Sequence, residues 1–114
     1  MPRALMLVAS RPTNTDRIAD FNHWYEMHVK ELLALDGIKS ATRWEASAHQ
    51  MIPGTEGVDG RRFLALYEIE CDDVKAMRNE INSSSPRRSH SDLLEMDPLP
   101  ITVLFEHLGE WKDG

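Results

Sequence analysis

One stretch constrains the fold of this chain more than any other: an apolar stripe at helical spacing that ends at a glycine. At about 100° per residue, residues 15–35 form a helix with a single apolar face. That face carries Ile18, Phe21, Tyr25, His28, Leu32 and Leu35, with Trp24 beside it. Asn22, His23, Glu26 and Lys30 fall on the other side. Gly37 follows the last apolar turn and predicts the end of the helix, because glycine adopts positive φ at little cost.

Strand patterns precede and follow this helix. Residues 3–10 are apolar without alternation, which is typical of a strand buried on both faces. Residues 38–49 alternate, with Trp44 on the same side as Ile38 and Arg43 on the other. Residues 62–70 alternate again. One side of that strand carries Phe63, Ala65, Tyr67 and Ile69, and the other begins with Leu64 and Leu66.

The second half of the chain repeats the order of strand, helix and strand. Residues 71–73 supply aspartates for a helix start, and residues 82–86 end that helix. Residues 83–100 are rich in serine, proline and charge, and a connection of that length is often a lid or binding loop. Residues 101–111 form the last strand. We expect Ile101, Val103, Phe105, His107 and Trp111 on one side of it, and Thr102, Leu104, Glu106 and Leu108 on the other.

The element order β-α-β-β-α-β predicts a single α+β domain over residues 1–114. Its simplest packing is ferredoxin-like: a four-stranded antiparallel sheet with two helices on one face. The other face then needs a cover, since Leu64, Leu66, Leu104 and Leu108 make it apolar. A large apolar patch usually marks an interface, so we expect a homodimer through the sheet face.

Charge and composition narrow the classes of partner. The net charge is −6, with 19 acidic and 13 basic residues, which argues against nucleic acid. No apolar run is long enough to cross a membrane. The one cysteine, Cys71, cannot form an internal disulfide, which favours a cytoplasmic location. His23 and His28 lie about 140° apart around the helix, and no zinc-type or phosphate-loop spacing occurs, so we expect neither metal nor cofactor.

Two side chains in the helix stripe are candidates for catalysis. His28 is either a neutral core histidine or a general base and acid, since imidazole gives and takes protons near neutral pH. Tyr25, one turn earlier, either packs in the core or uses its hydroxyl to orient a substrate and hold a developing oxyanion.

Several aromatic and apolar residues are candidates for the wall of a substrate pocket. They are Phe21, Trp24, Leu32, Trp44, Phe63, Tyr67, Phe105 and His107. Such a lining would suit a planar, apolar molecule, and a solid core is the alternative. Arg43 either binds a carboxylate ligand or, as we favour, pairs with Glu45 or Glu68 on the sheet.

Residues 16–45 resemble the dimeric α+β barrel proteins of the EthD-like kind. The resemblance is carried by Phe21-Asn22-x-Trp24-Tyr25-x-x-His28, by Leu32-Leu33-x-Leu35-x-Gly37-Ile38 and by Ser40-Ala41-x-Arg43. It implies a pocket between helices and sheet in each subunit, with His28 facing it. Asp36 departs from the pattern, since related sequences often have proline there, and so does the long 83–100 segment.

The superfamily includes polyketide cyclases, lactone isomerases, cofactor-free monooxygenases and haem-binding members. From the residues and the resemblance together, we expect a small-molecule enzyme of the cyclase, isomerase or lyase type. It would bind an apolar or aromatic substrate and use His28 as base and acid without a cofactor. A cofactor-free or haem-dependent monooxygenase-like protein and a non-catalytic ligand-binding dimer are the alternatives.

Overall fold

The computed structural model describes residues 3–84, 91–96 and 99–113, and its elements follow the predicted order. They are β1 (Arg3–Ser10), α1 (Ile18–Leu33), β2 (Ile38–Glu45), β3 (Phe63–Glu70), α2 (Val74–Ser84) and β4 (Ile101–Glu106), with a 3-10 turn at Thr15–Arg17. β2 and β4 end earlier than the predicted residues 49 and 111. Of the 83–100 connection, residues 85–90 and 97–98 lie outside the described residues.

The four strands form one antiparallel sheet in the order β2-β3-β1-β4. Each helix joins two strands that are not neighbours. α1 connects β1 to β2 across β3, and α2 connects β3 to β4 across β1. This is the predicted α+β, ferredoxin-like arrangement.

The core lies between the helices and one face of the sheet. Alternation along β3 buries Phe63, Ala65, Tyr67 and Ile69 on that face, and β1 adds Ala4 and Met6. From the helices come Phe21, Tyr25, Leu32, Met77 and Ile81. The apolar stripe of the first helix is therefore confirmed as a core-facing surface. Within the described chain, neither helix has the length and apolarity needed to cross a bilayer.

The end of α1 is tied to the sheet through Gly37. Its φ of +100° lies in the region that favours glycine, as the helix stop predicted. Its carbonyl oxygen accepts a hydrogen bond of 2.9 Å from the Glu70 N–H, which joins the helix end to the last residue of β3. α2 begins on the Asp73 carboxylate, which accepts bonds of 3.0 and 3.3 Å from the Lys75 and Ala76 N–H groups.

A β-bulge places Trp44 on the opposite side from the prediction. Ile38 pairs with Ile69 on the helix-covered face, yet Ser40 pairs with Glu68 on the open face, because the register shifts between them. Trp44 is four residues after Ser40, and residues an even number apart on a strand face the same side. Trp44 therefore lies on the open face, with 57% of its surface exposed. Arg43 lies on the helix side.

The faces of β4 are also exchanged relative to the prediction. The register pairs Leu104 with Met6 on the helix side and Phe105 with Leu5 on the open side. Both alternating sets of β4 contain large apolar residues, so only the register with β1 determines which set faces the helices. His107 and Leu108 lie beyond the end of β4 and are exposed.

Gly37→Ala tests the close approach at the end of α1. A Cβ there would meet the Met77 sulfur at 2.9 Å and the Glu70 carbonyl oxygen at 3.2 Å. Gly54→Ala is the matched control, since Gly54 also has positive φ (+89°) but its Cβ would enter open space, with no described atom within 4 Å. Because both variants strain φ and only one is crowded, we expect Gly37→Ala to lower the free energy of unfolding by about 1 kcal/mol or more beyond Gly54→Ala. Equal losses in urea unfolding would contradict this.

Candidate functional site

A cavity of about 530 Å³ lies between the two helices and the sheet face that they cover. α1 forms one wall with Trp24, Tyr25, His28 and Leu32. The opposite wall comes from α2, and β1 and β4 form the floor. Its volume falls within the roughly 300–1,000 Å³ of small-molecule sites. A few polar groups in a mainly apolar lining are also typical of such sites.

His28 is half-buried on the α1 wall, between two aromatic rings. Its ring stacks on Trp24, one turn earlier, with centroids 5.0 Å apart and an interplanar angle of 20°. Tyr25 meets the imidazole edge-on, with centroids 5.4 Å apart and an angle of 80°. These contacts come from the three- and four-residue spacing along the helix, which puts the side chains on one face. The imidazole plane is thereby oriented at the cavity wall.

Tyr25 joins the cavity to a buried group of hydroxyls. The Ser10 and Tyr67 hydroxyls form hydrogen bonds with the Tyr25 hydroxyl, and both residues are almost wholly buried. Burial raises the pKa of Tyr25, since a phenolate is less stable away from water. The Ser10 hydrogen bond, the Arg43 charge and the Tyr67 hydrogen bond oppose that rise in pKa.

Arg43 contacts Tyr25 from the sheet. Its guanidinium carbon lies 4.3 Å from the centre of the Tyr25 ring, and Nη1 donates a 2.9 Å hydrogen bond to Asn22 Oδ1. The favoured pairing of Arg43 with a sheet glutamate is wrong, because Glu45 pairs with Arg62 at 3.0 Å and Glu68 lies on the open face. Asn22 also differs from the prediction, since it turns toward β2 and is half-buried.

The connection before β4 covers the cavity. Its described part, residues 91–96 and 99–100, is called the strap below, and it lines the cavity with Leu94, Met96 and Leu99 among others. Backbone bonds attach the strap to the segment after β1. The Thr13 N–H donates to the Leu93 carbonyl oxygen at 2.8 Å, and the Glu95 N–H donates to the Arg11 carbonyl oxygen at 3.0 Å.

Arg61 attaches the other end of the strap. Its side chain is buried, and Nη2 donates a 2.7 Å hydrogen bond to the Leu99 carbonyl oxygen. Nη1 donates to the carbonyl oxygen of Asp59 at 2.8 Å and lies 3.2 Å from an Asp59 carboxylate oxygen. Asp59 has φ of +51°, an unusual conformation for a residue other than glycine. The turn at Asp59 therefore positions the buried Arg61 guanidinium against the strap.

Only part of the predicted pocket set lines the cavity. Trp24, Tyr25, His28 and Leu32 do. The structure corrects the other assignments. Phe21, Phe63 and Tyr67 are buried in the core behind Tyr25, whereas Trp44 and Phe105 lie on the open face and His107 follows β4 on the surface.

The floor and the far wall of the cavity were not predicted from the sequence. They include Met6, Val8, Ile81, Asn82 and Thr102. Met6 and Val8 gave no signal because β1 is apolar throughout, and only the sheet register shows which of its residues face the helices. Ile81 follows Val74 and Met77 at helical spacing in the sequence, a pattern that is equally consistent with a solid core.

A second groove, of about 550 Å³, lies near the loop that joins β2 to β3. It is lined by residues such as Arg11, Thr15, Glu56 and Arg62, and it contains none of the predicted site residues. The cavity at His28 is the better candidate because its lining is more apolar and its titratable groups are held by packing. Across the described ranges, no three His, Cys, Asp or Glu side chains come together as metal ligands would.

The fold is similar to that of an ethyl tert-butyl ether d (EthD) family protein from Bacillus halodurans C-125, with a TM-score of 0.59. The match covers 95% of this chain and 100% of that chain, at 12% sequence identity. The likeness confirms the predicted EthD-like fold. No protein-family model and no curated protein sequence matches the chain.

Arg61→Gln tests the attachment of the strap. Removing charged hydrogen bonds worth about 1.5–3 kcal/mol should let the strap open more often. We therefore expect amide hydrogen exchange in residues 91–96 to accelerate by about tenfold or more. Arg62→Gln is the control, since the neighbouring Arg62 pairs with Glu45 at the surface. Unchanged exchange in Arg61→Gln would show that the strap is held without this residue.

Proposed function

We propose that this EthD-like α+β protein binds a small apolar or aromatic molecule in the cavity at His28 and catalyses proton transfer on it. The reaction would be a cyclisation, an isomerisation or an elimination that needs no cofactor, carried out in the reducing cytosol. His28 acts as the base and acid, and Tyr25 supports it as a hydrogen-bond donor. Trp24 and Leu32 form the apolar contact surface for the substrate.

The observation that carries this proposal is the position of His28. A titratable ring stacks on Trp24 at 5.0 Å and lines an otherwise mainly apolar cavity. A proton-transfer catalyst needs a base within hydrogen-bond reach of the substrate and a wall that keeps water away. The likeness in fold to an EthD family protein supports a small-molecule site of this kind.

In the proposed reaction, His28 transfers the proton and Tyr25 stabilises the negative charge. The His28 imidazole would act as a base and remove a proton from the carbon next to a substrate carbonyl. The negative charge would then move to the carbonyl oxygen. The Tyr25 hydroxyl, at the cavity wall one turn before His28, would donate a hydrogen bond to that oxygen. The protonated imidazole would then return the proton at another atom or to a leaving group.

His28→Gln tests the chemistry separately from binding. Aromatic acids and polyketide-like compounds are first screened by thermal shift, since a ligand at 100 times its Kd stabilises the fold by about 2.7 kcal/mol. Compounds that bind are then assayed for turnover. We expect His28→Gln to keep the thermal shift and to lose about 10²-fold or more in rate, because general base catalysis contributes that much. A near-native rate would refute the role of His28.

Two threonine variants locate the binding site in the same assays. Thr102 lines the cavity on β4, so Thr102→Phe should fill it and abolish the thermal shift. Thr55 lines the second groove on the loop between β2 and β3, so Thr55→Phe is the matched control and should keep the thermal shift. Loss in both variants, or in neither, would contradict binding at this cavity. Binding without turnover in the native protein would favour a non-catalytic ligand-binding role.

The open sheet face supports a second proposal, a homodimer through this surface. It carries Leu5, Leu7, Leu64, Leu66, Val103 and Phe105. Val103 and Phe105 are 38% and 51% exposed in the single chain, and Trp44 on the same face is 57% exposed. A contiguous apolar patch of this kind is typical of a subunit interface. Two copies facing each other across a twofold axis would cover it.

Leu66→Glu tests the dimer. Leu66 pairs with Leu7 in the middle of the open face, so a buried, unpaired carboxylate there should dissociate the two copies. Met27→Glu is the control, because Met27 is 55% exposed on α1, away from this face. Sedimentation velocity should give twice the chain mass for the native protein and for Met27→Glu, and a single chain mass for Leu66→Glu. A native monomer would refute the dimer.

A further inference from the structure

A cation lies under the ring of the proposed hydrogen-bond donor. The Arg43 guanidinium carbon is 4.3 Å from the centre of the Tyr25 ring, the shortest contact between an arginine and a ring among the described residues. Its distances to the Phe21 and Phe63 rings are 5.8 and 5.6 Å. The guanidinium thus lies among three aromatic rings on the helix side of the sheet, and Tyr25 is the ring that also lines the cavity.

The sheet and α1 both hold this guanidinium in place. Arg43 projects from β2 opposite Ala65, and its Nη1 bonds to Asn22 Oδ1, three residues before Tyr25 on the same helix. Within the described residues, its Nε and Nη2 atoms are buried and have no hydrogen-bond partner. None of the ion pairs among the described residues involves this half-buried guanidinium. The Asn22 hydrogen bond and the Tyr25 ring, 4.3 Å away, both stabilise the guanidinium, since a cation is attracted to an aromatic face at this distance.

The charged and titratable groups around Tyr25 come from several elements. Arg43 approaches from β2, Tyr67 from β3 and His28 from the same helix, and Ser10 of β1 adds a neutral hydroxyl. Glu26 on the outer part of α1 acts on Arg43. Among the groups that act on Tyr25 itself, the Arg43 guanidinium supplies the positive charge, even though burial lowers the pKa of Arg43. This charge favours the phenolate and polarises the O–H bond.

We infer that Arg43 is a positioning residue for Tyr25: held by Asn22, its guanidinium fixes the Tyr25 ring at the cavity wall and makes the Tyr25 hydroxyl a stronger hydrogen-bond donor. The inference deepens the proposed function and rests on its assignment of Tyr25 as the donor to substrate. It explains why a half-buried arginine faces aromatic rings on the helix side of the sheet. Arg43 itself does not line the cavity.

The test measures the acidity of Tyr25 directly, without a ligand. The chain has two tyrosines, so Tyr67→Phe leaves Tyr25 as its one phenol. Labelling this variant with 3-fluorotyrosine lowers the phenol pKa and gives a fluorine resonance that reports ionisation. Arg43→Met in this background should raise the titration midpoint by about one pH unit or more, because it removes a positive charge within 4–6 Å. Arg43→Lys keeps the charge and should restore most of the original midpoint.

Controls separate the charge effect from a loss of packing. Arg62→Met removes an equal charge from a residue that faces Phe63 and Glu45, and it should leave the midpoint unchanged. If circular dichroism shows that Arg43→Met is unfolded, Asn22→Ala replaces it and should raise the midpoint by a smaller amount. The inference would be overturned if the midpoint were unchanged in folded Arg43→Met, or in Asn22→Ala where that variant replaces it. Equal shifts in Arg43→Lys and Arg43→Met would also overturn it.

The result is independent of the ligand assays. An unchanged midpoint would contradict the coupling between Arg43 and Tyr25 but not substrate binding at His28. A ligand screen without hits would contradict substrate binding but not that coupling. If both succeed, Arg43→Met should lower the turnover rate more than it lowers the thermal shift, and Arg43→Lys should rescue part of the rate.

Discussion

The aromatic side chains of α1 hold that helix at a set distance and rotation over the sheet. Phe21 lies 5.4 Å from the Phe63 ring and 5.6 Å from the Tyr25 ring, and all three side chains are buried. Each such pair contributes about 0.5–1.5 kcal/mol beyond the area it buries. A close-packed core of rigid rings does not let the helix turn without losing these contacts. His28, one turn after Tyr25, contacts the Trp24 and Tyr25 rings and is thereby held at the cavity wall.

The cavity depends on this one-sided packing in two ways. The Phe21 and Phe63 rings fill the space under the start of α1, so the cavity lies further along the helix, from Trp24 to Leu32, between α1, α2 and the strap. The helices also leave the opposite face of the sheet bare, with Phe105 and Trp44 half exposed or more. One layer of helices on one sheet thus creates an internal site and an external apolar surface together.

The order of elements and the buried face of α1 could be predicted from the sequence because both follow from local rules. Helical spacing put Phe21, Tyr25, His28 and Leu32 on one face, and all are buried or half-buried there. Gly37 marked the end of the helix region because few other residues adopt its φ. The alternation of β3 was strong enough to fix its core-facing residues, since its second face becomes acidic toward the end.

Other features required long-range pairing, which local patterns do not contain. A bulge in β2 and the register of β4 put Trp44 and Phe105 on the open face, since a shift of one residue reverses which side a strand residue faces. The contacts of Arg61 with the strap and of Arg43 with Tyr25 join residues 38 and 18 positions apart. The sequence by itself therefore determined the helix that carries His28 and the class of fold. The tertiary structure alone decided which strands and loops close around that histidine, because those contacts depend on register and not on periodicity.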